Sequence, residues 1–526
     1  MPTTQATGTT RTGRRLVWVA AALSGVVAAA VFLAIAELAA LVFARGSSPL
    51  LTVGSFVIDI VPRWAKEFAI ETFGANDKLF LLISLGIAVL VAALVAGVLQ
   101  YLRPPLGVIL LVAAGVFAGA TTITRAGATP LAVIPVILGL AAGVTILILL
   151  SRRLPRRQRT VDTDGDDAPA AFDRRGFFRI AGISAAGAIV VGVGARIVNV
   201  TTSSITAIRE ALKLPAPKST VTIPDGAEVA VDGISPLFTP NDKFYRVDTA
   251  LTVPSVDPDT WTLTVDGMVG EQVTITFDEL LAMGLDEYVI TMTCVSNEVG
   301  GSLLGNAKWL GIPVRDVLKR AMPDSDADMV LSTSVDGFTA STPIESLTDP
   351  NLDAILAVAM NGEPLPLEHG FPVRMVVPGL YGYVSATKWL TKLTVTTFDK
   401  DEAYWTPRGY DAKAPIKLSS RIDTPRIDKQ VPTGPTKIAG VAWAQTVGVE
   451  KVEVSIDNGD WQSVNLSTAI NDDTWVQWWL DWDATSGTHY VAVRATDKAG
   501  NLQIEEQAPI APNGSSGWQR TLIRVG

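Results

Sequence analysis

Apolar residues are crowded into the first 200 positions of this chain. Four runs, 16–42, 79–99, 106–123 and 131–150, each extend about 18 to 27 residues with at most one charge, the length a helix needs to cross a bilayer core. Four membrane-spanning helices are therefore predicted within residues 1–158. A further apolar run, 50–61, is too short to span and passes into the mixed segment Pro-Arg-Trp-Ala-Lys-Glu-Phe, which suits an interfacial position. Arg11, Arg14 and Arg15 before the first run and Arg152, Arg153, Arg156, Arg157 and Arg159 after the last put both ends of the region in the cytoplasm. Two cytoplasmic ends require an even number of crossings.

Residues 159–218 begin with an acidic, small-residue linker and continue as Asp173-Arg174-Arg175-Gly176-Phe177-Phe178-Arg179, heading an apolar run to Gly194. Paired arginines before aromatics and an apolar stretch resemble a twin-arginine export signal, here internal and so acting as a fifth transmembrane helix. An ordinary positively charged flank is the alternative. Both place everything beyond about residue 200 on the extracytoplasmic side of the cell membrane, and the twin-arginine pathway implies a cargo folded around a cofactor.

From residue 219 the pattern becomes that of a globular protein with short apolar segments between Pro, Gly and Asp. Strand-like runs at 261–265, 272–277, 288–294 and 393–398 mix irregularly with short helical patterns such as 314–322, which predicts an α+β domain over 219–424. Over 425–526, alternating segments at 437–443, 451–456, 475–480 and 490–495 are separated by polar turns, the pattern of an immunoglobulin-like β-sandwich. Trp443, Trp475 and Trp479 are its expected core. With 48% hydrophobic and 18% charged residues overall, the chain is too apolar to be entirely soluble.

Cys294 is the only cysteine in 526 residues. It cannot form an intrachain disulfide, a thiolate zinc site or an iron–sulfur cluster, which leaves a buried structural thiol, a nucleophile, or one ligand to a metal completed by a cofactor. Around it lie Phe244-Tyr245-Arg246, Thr293-Cys294-Val295-Ser296-Asn297, Val335-Asp336-Gly337, the segment from Met360 through His369 to Arg374, and Lys388-Trp389-Leu390. Together these resemble the sulfite oxidase family of molybdenum-cofactor enzymes, over most of 241–526. The resemblance implies that Cys294 ligates molybdenum beside the dithiolene of one molybdopterin and that the C-terminal domain mediates homodimerisation. It implies that Tyr245, Arg246, Asp336, His369, Arg374 and Lys388 hold the pterin. Arg246, Asn297 and Tyr410, five residues after Trp405, are implied to face substrate. A terminal phosphate on the cofactor needs fixed cations, a part that Arg374, Lys388 and His369 are expected to play.

One departure bears on substrate. Sulfite-oxidising relatives follow the cysteine motif with arginines, whereas Glu298-Val-Gly-Gly follows Asn297 here. A carboxylate there repels an anion, so a neutral S-oxide or N-oxide is favoured over sulfite. No haem motif, cysteine cluster or Gly-rich dinucleotide fingerprint is present, so no haem, iron–sulfur or flavin is expected and a separate cytochrome or quinone-linked partner must carry electrons. Nucleic acid is not an expected partner. The sequence thus describes a membrane-anchored molybdopterin oxidoreductase performing oxygen-atom transfer on a small molecule. Its rival is a surface-displayed binding protein that uses the β-sandwich and has a degenerate metal site.

Overall fold

The computed structural model describes residues 11–43, 48–61, 68, 72, 77–124, 130–155, 173–200 and 203–526. The chain divides into two units, Met1–Ser203 and Ser204–Gly526.

In the first unit, helices over Arg15–Phe43, Leu79–Leu102, Leu106–Ile123 and Leu131–Ser151 are long and apolar enough to cross a membrane. They coincide with the four apolar runs. The short run forms the helix Pro49–Ile60, which starts with the Ser48 hydroxyl accepting from the Leu51 amide. Small residues let these helices approach closely: a Cβ on Gly25 or Gly97 would strike the backbone of the opposite helix at Ala93 or Ala21, the kind of contact that holds helices together where burial alone gives no drive. Arg174–Val200 is one helix that begins at the paired arginines. Its side chains beyond Val191 and the acidic linker lie outside the described residues, as do Arg156, Arg157 and Arg159.

The second unit opens with the helix Ser203–Ala211, clamped where Arg209 pairs with Glu363 at 2.7 Å and donates to the Leu365 carbonyl at 2.8 Å. One mixed sheet contains β1 (Thr262–Gly267), β2 (Val273–Thr276), β5 (Met329–Ser334), β6 (Thr339–Pro343) and β10 (Leu390–Thr396), in the order β2-β1-β10-β5-β6. A second contains β3 (Asp286–Thr293), β4 (Leu304–Pro313), β7 (Ile355–Met360) and β8 (Glu363–Pro364), with β9 (Arg374–Val376) also paired to β7. Leu263, Val265, Leu393 and Val395 from the first sheet and Leu356, Val358 and Met375 from the second close one core with the helix Val314–Ala321. Ile290, Met292 and Trp309, on β3 and β4, pack instead with Phe244 and Phe371. That second cluster supports the candidate site, because β3 ends one residue before Cys294.

Two four-stranded antiparallel sheets follow. One has the order β11 (Ser419–Thr424), β12 (Gly434–Trp443), β16 (Val476–Ala484), β15 (Asn465–Leu466); the other β14 (Gln462–Ser463), β13 (Val449–Ile456), β17 (Gly487–Asp497), β18 (Gln519–Val525). Two features differ from the sequence expectation. Ser419–Thr424, assigned to the preceding domain, pairs along β12 from Ser419 opposite Trp443 to Thr424 opposite Ala439, so the sandwich begins before the expected boundary at 425. The buried tryptophan between its sheets is Trp478, at 0% exposure, rather than the half-buried Trp479. Strand alternation explains this: Val476 and Trp478 share the inward face of β16, and a slip of one residue moves a side chain to the other face. Trp443 and Trp475 pack with Leu304 of β4, on the face turned toward the preceding sheets.

His489 supplies a pH-dependent link in this sandwich. Its Nδ1 bonds Asp457 Oδ2 at 2.7 Å and its Nε2 meets the Thr485 carbonyl at 2.8 Å. Two acceptors call for two ring protons, and the hydrogen bond to Asp457, followed by that to Thr485, raises the imidazole pKa above its usual 6.5. A raised folded-state pKa contributes stability that is fully present below the unfolded value and is lost as pH rises through the folded one. The melting-temperature advantage of the native protein over His489→Gln should accordingly be greater at pH 6 than at pH 9. A difference that does not change with pH would show that the ring is neutral.

Candidate active site

Cys294 is fixed by the backbone rather than by its side chain. Its amide donates to the Leu303 carbonyl at 2.9 Å, its carbonyl accepts from the Asn297 amide at 3.0 Å, and Asn297 Oδ1 accepts from the Leu303 amide at 2.8 Å. These bonds fold 294–303 back onto the end of β3. Cys294 as a whole is 8% exposed. Burial pushes its pKa up, opposed by hydrogen bonds from the Ser296 amide and hydroxyl. An isolated buried thiol of this kind is protonated and inert at neutral pH, whereas a metal ion would displace the proton. Among the described residues no group of three or more His, Cys, Asp or Glu could hold a metal, so any metal at Cys294 takes its remaining ligands from elsewhere.

Tyr245 lies near both Cys294 and Arg374. The Tyr245 hydroxyl is buried, and after that burial the charges it feels are Cys294, which raises its pKa, and Arg374, which lowers it. Its ring stacks on Phe244 at 5.3 Å, and Phe244 in turn meets Trp309 and His369 edge-on at 5.9 and 5.7 Å. Arg374 lies over the Trp309 ring at 5.3 Å. Its guanidinium donates to the His369 carbonyl at 3.2 Å and to that of Ala386 at 3.5 Å, while Nε is buried without a hydrogen-bond partner. Burial lowers its pKa to about 10, which still leaves it charged at pH 7. The carboxylate offered by sequence proximity, Glu368, forms no ion pair with it among the described residues. A buried, incompletely bonded guanidinium costs several kcal/mol unless an anion matches it, so this cradle fits a phosphate-bearing group.

The remaining cations are in a different state. Lys388 Nζ pairs with Asp248 Oδ2 at 2.7 Å and donates to the Glu368 carbonyl at 3.0 Å. Arg246 Nε reaches the same Asp248 oxygen at 2.9 Å. Burial pulls the Lys388 pKa down to about 8, against the favourable charge of Asp248. Asp336 sits on the turn after β5, where its Oδ1 accepts from the Phe338 amide at 3.2 Å, and Thr249 Oγ1 lies 3.5 Å from its Oδ2. His369 departs from the cationic part expected of it. Its Nε2 meets the Asn241 carbonyl at 3.0 Å, and burial, then Arg374, lowers its pKa to about 4. At neutral pH it is an uncharged ring that donates through Nε2 and packs on Phe244.

On the Val295 side, Tyr381, Tyr383 and Tyr410 form an aromatic wall with Trp405. Tyr410 lies 5.2 Å from the Trp405 ring and 5.4 Å from Tyr383. Tyr381, not singled out by its sequence context, lies near Cys294, and burial raises its hydroxyl pKa to about 12. Asn297 has a structural part, closing the cysteine loop through Oδ1 and accepting from Ser515 Oγ at 2.6 Å through its carbonyl. Asp248 was also missed by sequence reasoning. Its spacing of two from Arg246 was visible, but its pairing with Lys388, 140 positions away, had no local signal.

Residues 250–405 match the family model described as the oxidoreductase molybdopterin binding domain. Over these residues the chain is similar to molybdopterin-binding oxidoreductases. More particularly, the domain is sulfite-oxidase-like. Mitochondrial sulfite oxidase from Rattus norvegicus is 30% identical over 55% of this chain and 61% of its own length, and sulfite oxidase from Arabidopsis thaliana is 27% identical over 56% and 90%. The chain therefore spans about three-fifths of the rat protein. The crystal structure of the sulfane dehydrogenase SoxCD from Paracoccus pantotrophus aligns with a TM-score of 0.50 over 58% of this chain and 86% of that one, at 22% identity, a likeness of fold. The domain and these relatives support an oxidoreductase enzyme.

Proposed function

We propose that this protein is a membrane-anchored molybdenum-cofactor oxidoreductase that transfers an oxygen atom to or from a small extracytoplasmic substrate, such as an S- or N-oxide. The observation that carries this reading is the buried Arg374 guanidinium, with an unbonded Nε and no ion pair to a carboxylate among the described residues, and Tyr245 near both it and the buried Cys294. Molybdopterin, when bound, supplies the dithiolene and the metal through which two-electron oxygen-atom transfer runs. Cys294 ligates that metal; Arg374 matches the cofactor's phosphate; and Lys388, Arg246 and Asp336 line the pterin with Asp248 setting their charge. Tyr245 spaces the thiol from the guanidinium and keeps water out. Tyr410 stands in the aromatic wall beside Val295, on the substrate side.

The four apolar helices support anchoring, and the arginine distribution supports an external catalytic unit reached through the helix that starts at Arg174. The immunoglobulin-like sandwich is the homodimerisation element in this reading, and electrons pass to or from a separate cytochrome or quinone-linked partner. Metal and pterin analysis of the purified full chain should find one molybdenum and one molybdopterin per catalytic unit, with turnover of methionine sulfoxide or trimethylamine N-oxide exceeding that of sulfite. A chain free of both would favour a binding function. Reporters fused after Arg157 and after Gly526 should lie on opposite sides of the membrane, and the same side for both would remove the external assignment.

A further inference from the structure

We propose that Ser515 and Arg421, both in the sandwich, are positioning residues for Cys294: they hold the cysteine loop at Asn297 and Gly301 and so set where the metal ligand stands. Only the purpose of that placement, the orientation of a molybdenum ligand, rests on the function proposed above. The loop 294–303 is closed by its own backbone. The Cys294 amide donates to the Leu303 carbonyl, the Asn297 amide returns to the Cys294 carbonyl, and the Gly301 amide donates to the Glu298 carbonyl at 2.8 Å. Each partner in these bonds lies inside the loop, so they shape it without fixing it to its surroundings.

The sandwich fixes it. Ser515, in the segment before β18, donates through Oγ to the Asn297 carbonyl at 2.6 Å, and both residues are buried. Arg421, buried on β11, donates through Nη1 to the Gly301 carbonyl at 2.8 Å. Its Nε pairs with Asp423 Oδ1 at 2.6 Å, and its Nη2 donates to Ser235 Oγ at 2.8 Å. Asp423 Oδ2 in turn accepts from the Ser235 amide at 2.9 Å. The planar fork of a guanidinium thus joins three segments at once, which the single ammonium of a lysine does not reproduce.

The fit between loop and sandwich is close. Gly300 has φ +79°, and a Cβ there would come within 2.9 Å of the side chain of Gln519 on β18, whose Oε1 accepts from the Ile422 amide at 2.6 Å. Only glycine combines that backbone conformation with so near an approach. The strand entering the loop is held by the sandwich too. The Thr291 amide donates to the Asp473 carbonyl at 3.0 Å, its Oγ1 accepts from the Trp475 amide at 2.9 Å, and its carbonyl accepts from Gln445 Nε2. β3 is the edge of its sheet, and these bonds cover that edge. Sandwich residues therefore hold the chain on both sides of Cys294, at 291 before it and at 297 and 301 after it.

The test uses the detergent-solubilised full-length protein, in which Cys294 is the only thiol. In molybdenum-free protein, labelling of Cys294 by N-ethylmaleimide should accelerate about three- to tenfold in Ser515→Ala, the range for one lost buried hydrogen bond that restrains local opening. Ser515→Thr, which keeps the hydroxyl, should label nearly as slowly as the native protein. Arg421→Lys, which keeps a charge for Asp423 but not the fork, should accelerate labelling about ten- to a hundredfold. Ser455→Ala is the control. Ser455 Oγ is bonded to the Gly459 carbonyl at 2.7 Å on β13, so this variant should lower the melting temperature about as much as Ser515→Ala while labelling at the native rate. In the loaded enzyme, Ser515→Ala should lower kcat with KM near its native value and shift the electron paramagnetic resonance signal of the metal. Equal labelling of native and Ser515→Ala proteins, equal acceleration in Ser455→Ala, or an unshifted metal signal would overturn the assignment. A purified protein lacking molybdenum and pterin would instead overturn the function on which its purpose rests, while the labelling still reads the placement of Cys294.

Discussion

Cys294→Ser should lower turnover about a hundredfold or more while leaving the protein folded. Removing partners that merely orient a metal ligand typically costs about 10- to 100-fold, and loss of a thiolate ligand acts on the metal directly. A serine hydroxyl is nearly isosteric but far harder to ionise, so it is a poor replacement for a soft sulfur donor. The fold should tolerate it because Cys294 is positioned by its own backbone, through Leu303 and Asn297, and Ser296 already offers donors to the side chain. Stability should change by about 1 kcal/mol, the usual size of one altered buried hydrogen bond. Dye-linked turnover, measured with metal content and melting temperature, decides this. A serine variant that works at the original rate would remove Cys294 from the metal.

Arg374→Met should separate cofactor retention from stability. Truncating one partner of a buried charged pair costs about 2–5 kcal/mol of binding, so the affinity for molybdopterin should fall about 30- to 5,000-fold and less of it should survive gel filtration. The cofactor-free protein should nevertheless unfold within about 2 kcal/mol of the native one in either direction. Removing an unmatched buried charge is favourable, and the loss of donors to the His369 and Ala386 carbonyls offsets it. Arg374→Lys should be intermediate, since it keeps the charge but not the planar fork that matches phosphate. Undiminished pterin content in Arg374→Met would place the phosphate elsewhere. A collapse of the cofactor-free fold would show that the guanidinium is matched within the protein.

Short-range order was legible where one kind of side chain repeats at one period. The four apolar runs are the four long apolar helices to within a few residues, since length and hydropathy define both. The strand-like runs at 261–265, 272–277 and 288–294 fall on β1, β2 and β3, and Cys294 stands at the end of a buried strand as its apolar approach indicates. Legibility weakened wherever a choice depended on a partner strand. Trp475, Trp478 and Trp479 are equally hydrophobic, and only the pairing of β16 with β12 selects which of them turns inward. Ser419–Thr424 reads as the tail of one domain until β12 is seen beside it.

By itself, the sequence determined the membrane-length helices, the solitary thiol and the residues proposed for a cofactor site, because these depend on composition, length and order along the chain. Only the tertiary structure decided the charge of each site residue. His369 is neutral because burial and Arg374 disfavour its protonation. Lys388 and Arg246 share the one carboxylate of Asp248, while Arg374 forms no ion pair with a carboxylate among the described residues. Protonation and pairing follow from desolvation and from distances of a few ångströms, and those distances join residues more than a hundred positions apart, which no local pattern records.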